Sequence, residues 1–235
     1  FDLHTLVEAE GPLPPWRVVR ILSQAAAALV EAHGHSLIHR DIKPANMILT
    51  ARSDEADVVK VVDFGLVKLL GGEGGPDAAT ATQANVITGT PLFLAPEAIT
   101  DPETVDARSD LYALGAVGYF LLTAEHVFSG RTVVEVCSKH LLEPAQAPSL
   151  RTERPIPERL DALILSCLAK SPAERPPSAA SFKAAVEVIA LDTSAIVAIA
   201  MPIGTRIGTD LRAFLDASLA LIRPASTSTD SGVGE

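Results

Sequence analysis

Within the stretch LIHRDIKPANMIL (residues 37–49), five side chains capable of chemistry fall close together: His39, Arg40, Asp41, Lys43 and Asn46. Further on, Asp63 opens an Asp-Phe-Gly triplet with Phe64 and Gly65. The set offers carboxylates, an ammonium and an amide. Oxygen donors such as Asn46 and Asp63 suit a hard cation. Taken singly, each residue has an ordinary reading. An Asp before Ile-Lys is a solvated loop residue, an Asp-Phe-Gly is a turn, and an Asn stabilises its own loop. Their joint occurrence is what asks for a chemical explanation.

The elements that must position these groups are legible from periodicity. From Pro14 to about Gly34, Val18, Leu22, Ala25, Leu29 and Ala32 recur at helical steps after the start signal GPLPP. Two apolar runs, 47–49 and 58–62, read as a strand pair joined by the polar loop TARSDEAD. A Gly-, Thr- and Ala-rich segment, 69–89, is too long for a simple connection and reads as a functional or mobile loop. Helices are expected over about 109–123, with Ser109 as N-cap, and over 131–142, 158–169 and 178–190. The helix at 109–123 is apolar nearly all round and should form the buried axis.

Four signatures, HRDIKPAN (39–46), DFG (63–65), GTPLFLAPE (89–97) and DARSDLYALG (106–115), occur in order. In order and spacing they resemble the C-terminal lobe of eukaryotic-like Ser/Thr protein kinases, the bacterial members most of all, over about residues 1–190. The resemblance implies a mainly α fold with a few short β-strands. By it, Asp41 accepts the proton of the substrate hydroxyl, Lys43 steadies the γ-phosphate of ATP, and Asn46 and Asp63 ligate Mg²⁺. Ile48 would floor the adenine site, and Phe64 would pack beneath the site, with Gly65 allowing the sharp turn after Asp63. His39 is a packing residue, Asp110 holds the catalytic loop by hydrogen bonds, and Glu97 forms a buried ion pair with Arg175 of SPAERPPS. Lys43 and Thr90 point to Ser or Thr hydroxyls of proteins as the acceptor. Phe93 stands where family members usually carry Tyr. Arg40 beside Asp41 marks the class switched by loop phosphorylation, with Thr80 and Thr82 as candidate phosphosites; the alternative is that these threonines are plain loop.

No G-x-G-x-x-G occurs in the 235 residues, and GGEGG at 71–75 follows the DFG triplet, on the wrong side of the site. The chain opens on Phe1 without an initiator methionine. The expectation is a C-terminal lobe lacking its ATP-binding N-lobe, which a longer chain would supply in cis, and inactive alone. A non-catalytic kinase-like scaffold is the alternative, and the retention of Asp41, Asn46 and Asp63 argues against it.

A net charge of −10 argues against nucleic acid or anionic lipid as the main partner. No stretch approaches the roughly 20 apolar residues of a membrane span, so a cytoplasmic location is expected, with membrane association only through a parent chain. Cys137 and Cys167 read as buried free thiols. Residues 191–223 read as a helical extension, with an amphipathic helix at 209–223, and 224–235 as a polar linker or disordered end. The run LDTSAIVAI (191–199) resembles the first strand of a PIN-type nuclease, with Asp192 as a metal ligand, but too few residues follow for that domain.

Overall fold

The computed structural model describes residues 1–52, 55–64 and 91–200, without the side chains of 51–56 and 192–200. The chain divides into two units, Phe1–Ile189 and Ala190–Glu235. Gly65, Thr80, Thr82 and Thr90, the helix expected at 209–223 and the tail at 224–235 lie outside the described residues.

A short helix α1 (Leu3–Glu10) follows Asp2, whose carboxylate accepts from the Thr5 N–H at 2.9 Å and caps it. Sequence periodicity missed this helix. Helix α2 (Pro15–Gly34) starts on a proline that needs no N–H partner there, and it buries Val18, Leu22, Ala25 and Leu29 as expected. The hairpin β1 (Met47–Arg52) and β2 (Glu55–Val61) is antiparallel, with Met47 opposite Val61 and Leu49 opposite Val59. Its ladder runs well into the stretch read as a polar loop. Backbone pairing needs no apolar side chain, so the polar composition concealed the strand ends. At the other side of β1, Asp2 makes an isolated bridge to Ile48, and the Leu49 N–H donates to the Phe1 carbonyl at 2.8 Å.

Helix α3 (Pro96–Thr100) precedes α4 (Ala107–Thr123), from which every residue between Ser109 and Thr123 is buried. Its N-cap is Asp106, which accepts from the Arg108 N–H at 2.8 Å, and not Ser109. Ala107 and Arg108 favour helix, so the helix starts earlier, and the Ser109 hydroxyl is free to serve elsewhere. Helices α5 (Val133–Leu142), α6 (Glu158–Cys167) and α7 (Ala179–Ala200) follow. Two glycines let α6 lie close on α4: a Cβ at Gly115 would fall 2.5 Å from the Cys167 Cβ, and one at Gly118 2.5 Å from the Ile164 Cδ1. Cys137 and Cys167 are both buried free thiols, and burial pushes the Cys167 thiol up to about 12.

Residues 191–199 lie within α7, so the strand suggested by LDTSAIVAI does not form and the nuclease resemblance falls. No Pro or Gly interrupts the run before Pro202, and β-branched residues cost a helix only tenths of a kcal/mol each, on the order of 0.5.

Candidate active site

The loop joining α2 to β1 is held from below by Asp110, which is 1% exposed in the first turn of α4. Its Oδ2 accepts from the His39 N–H at 2.9 Å and its Oδ1 from the Arg40 N–H at 2.8 Å. Two successive amides can converge on one carboxylate because Arg40 adopts a left-handed conformation, with φ 66°. That conformation is unfavourable for a residue with a Cβ, so the Asp110 bonds must sustain it. A third partner, unforeseen from the sequence, is His33 on α2, whose Nε2 lies 2.9 Å from Asp110 Oδ2. A lone His near a helix end carries no signal that could have marked it.

His39 is fully buried and joins the two chain segments of the site. Its Nε2 donates to the Val62 carbonyl at 2.9 Å, and its Nδ1 accepts from the Asp41 N–H at 3.3 Å. Those two bonds fix its tautomer, and its ring lies 4.5 Å from that of Phe64.

Asp41 projects outward, with its side chain 54% exposed. Its Oδ2 accepts from Lys43 Nζ at 2.7 Å and from Asn46 Nδ2 at 2.9 Å, while the same amide nitrogen also donates to the Asp41 carbonyl at 2.8 Å. Both bonds of Asn46 use its nitrogen; its carbonyl oxygen is the atom suited to a cation. Asn46 and Asp63 are brought to the same end of the hairpin by its register. Asn46 immediately precedes β1, and its carbonyl accepts from the Val62 N–H at 3.0 Å, one step beyond the Met47–Val61 pair. Asp63 is the next residue, exposed and left-handed at φ 62°. Ile48 lies on β1 beside these residues, partly buried.

A second constellation anchors the segment that follows residue 90. Glu97 and Arg175 form a two-pronged ion pair at 2.6 and 2.7 Å, and the Arg175 side chain has no exposure. Its remaining N–H groups donate to the carbonyls of Ala169, Arg108 and Lys170, and its plane lies 4.9 Å from the Tyr112 ring centre. The Ser109 hydroxyl donates to Glu97 Oε1 at 2.5 Å. Burial alone would raise the Glu97 carboxyl, but the hydrogen bonds from Arg175 and Ser109 reverse this and hold it below its ordinary value. Phe93 sits edge-on to Phe120 and His126, an aromatic environment for a position where Tyr was the usual expectation.

The structure thus holds an exposed carboxylate bonded to an ammonium and an amide, with Asp63 one residue beyond the Val62–Asn46 bond at the same end of the hairpin. The protein kinase domain profile matches residues 1–186, and the chain belongs to that family. It is 41% identical over 189 residues to the serine/threonine-protein kinase pkn3 of Myxococcus xanthus, covering 80% of this chain and 34% of that protein. It is also 41% identical over 182 residues to the serine/threonine-protein kinase PknB of Mycolicibacterium smegmatis, covering 77% of this chain and 28% of that protein. Among solved structures, it resembles that of Rad53 1-466 in complex with AMP-PNP, with a TM-score of 0.61, 25% identity, and coverage of 77% of this chain and 42% of that one. The chain thus spans about a third or less of the length of these two bacterial relatives, both of them Ser/Thr protein kinases by name.

Proposed function

We propose that this chain carries the phosphoryl-acceptor and metal-holding half of a protein kinase that transfers the γ-phosphoryl of ATP to Ser or Thr hydroxyls of proteins. The observation that carries the proposal is the Asp41 carboxylate, exposed yet tethered by Lys43 and Asn46. A general base must be open to substrate and held in one orientation, and Asp41 meets both conditions. Lys43 places a positive charge beside it, where a transferring phosphoryl group would need neutralisation. Ile48 would lie beneath the adenine. Asp110 and His39 act through the loop: they hold the backbone that aims Asp41 and do not touch the reacting atoms.

The donor chemistry fits magnesium. Asn46 offers an amide oxygen and Asp63 a carboxylate, and a magnesium ion shared with phosphate oxygens needs only one or two protein ligands. No group of three or more His, Cys, Asp or Glu suited to a metal occurs among the described residues. Bound Mg²⁺ would supply charge neutralisation and bridge the nucleotide's phosphates.

The sequence contains no Gly-rich phosphate loop, so the cover over the nucleotide is assigned to an N-terminal lobe of a parent protein. Arg40, exposed beside Asp41, is available to receive a phosphate carried by Thr80 or Thr82. A cytoplasmic kinase domain is the setting we favour, and among the described residues no helix is long and apolar enough to cross a membrane.

The test is phosphotransfer to a Ser/Thr protein acceptor by the parent protein, with Asp41→Asn and Asp63→Asn compared against wild type. Loss of about 10²–10⁴-fold in kcat with an unchanged melting temperature is expected for Asp41→Asn. Full biological function in both variants would favour a scaffold.

A further inference from the structure

The hairpin that ends at Asn46 and Asp63 is gripped at its opposite end by α2. Thr50 pairs with Val58 but Arg52 with Glu55, so one residue of β1 faces two of β2 and the strand bulges. The bulge residue Asp57 is left-handed, with φ 58°. Arg17 takes its carboxylate with two donors, Nε to Oδ2 at 2.7 Å and Nη2 to Oδ1 at 2.9 Å, and sends Nη1 to Glu10 at 2.7 Å. Two turns along the same face of α2, Gln24 copies the hydrogen bonding of a neighbouring strand. Its Nε2 donates to the Asp57 carbonyl at 2.8 Å, and its Oε1 accepts from the Val59 N–H at 3.0 Å.

We infer that Arg17 and Gln24 are positioning residues for the Asn46–Asp63 pair, acting through the register of β2. The inference rests on the proposed role of that pair in holding the metal. Side chains alternate along a strand, so a slip of one residue would turn Asp63 away and break the Val62–Asn46 bond. From Asp57 to Asp63 the strand runs about 20 Å, far enough that neither residue on α2 touches the site. The backbone of β2 carries the link from Asp57 toward Asp63. An unpaired edge with a left-handed bulge is weakly specified on its own. The Arg17 fork fixes which residue bulges, and the Gln24 amide fixes which N–H and carbonyl face α2.

The test uses the full 235-residue chain and two readouts that do not involve catalysis. The first is amide exchange at Val62, and the second is paramagnetic broadening of Asn46 and Asp63 on titration with Mn²⁺ alone. Gln24→Met should speed Val62 exchange by about tenfold and raise the Mn²⁺ needed for half-broadening by about threefold, while exchange in α4 stays as in wild type. The milder Arg17→Lys, which keeps the charge but loses the fork, should move both in the same direction by less. Wild-type values at Val62 and in the titration for both variants would overturn the inference alone. A wild-type chain with no broadening at Asn46 or Asp63 would overturn the metal-holding role and the inference with it.

Discussion

Arg175 has all five of its donors engaged and no exposure, so its partner Glu97 cannot be removed without stranding a buried cation. A buried pair of this kind contributes little compared with an apolar substitute, but losing one member is costly. Glu97→Ala should therefore cost about 3–5 kcal/mol of stability, measurable by urea denaturation, with activity falling as a consequence. The neighbouring His140 makes a complementary case in pH. It is fully buried, with Nδ1 2.8 Å from the Tyr112 hydroxyl. Burial first, and then the Lys170 ammonium, lower its pKa from 6.5 to about 4. Between those values the unfolded chain binds a proton that the folded chain refuses, so stability rises with pH across the window and is lost as pH falls from 6.5 to 4. The depressed Glu97 carboxyl acts with the same sign, its contribution being lost as it protonates in the folded state. Thermal melting from pH 7 to 4 should show the decline, and His140→Gln should flatten the upper part of it. A His140→Gln profile parallel to wild type would reject the assignment.

At the scale of elements, the approach of α6 to α4 depends on glycine. Gly115→Ala would bring a methyl within 2.5 Å of the Cys167 Cβ, an atom fixed by its own backbone. Because α4 is the buried axis, the clash cannot be relieved by turning outward, and a loss of about 1–3 kcal/mol is expected in denaturant unfolding. Helix α4 itself was evident in the sequence from its unbroken apolar character, as was α2 from its three- and four-residue spacing. The ends of elements were less evident. Asp106 and Ser109 are both good caps; the helical preference of Ala107 and Arg108 decides for Asp106 and leaves the Ser109 hydroxyl to Glu97, distant in sequence. Similarly, TARSDEAD conceals a bulged ladder that Arg17 and Gln24 hold from another element. The left-handed turns at Arg40 and Asp63 carry no glycine to announce them, since long-range bonds, not local preference, impose them at Arg40. The motifs pointed to the chemistry and to the Asp110 and Glu97–Arg175 supports; the supports from His33, Arg17 and Gln24 lay in tertiary contacts that no local pattern encodes.

At the scale of the whole molecule, the net charge and the absence of a G-x-G-x-x-G bear together on the proposed binding of a nucleotide. The chain carries a net −10, and ATP is itself strongly anionic, so the two repel unless cations intervene. In the role proposed for them, Asn46 and Asp63 would recruit such a cation, while Lys43 is the only basic side chain bonded to Asp41 among the described residues. A kinase clamps its phosphates from two sides, with a Gly-rich loop and a strand lysine opposite the metal. The 235 residues hold no G-x-G-x-x-G with which to make the second clamp. The chain by itself should therefore bind ATP weakly, at Kd of about 1 mM or above. Chelation of divalent cations with EDTA should abolish even that binding. Its phosphotransfer should fall about 10²–10³-fold or more below that of a protein that also carries the covering lobe, since alignment of the phosphoryl group is lost. Calorimetric titration of this chain with Mg·ATP, alongside the same chain joined to such a lobe, decides the point. Tight binding and fast turnover by the 235 residues alone would mean that the catalytic loop and metal pair suffice, and that the second clamp is dispensable here.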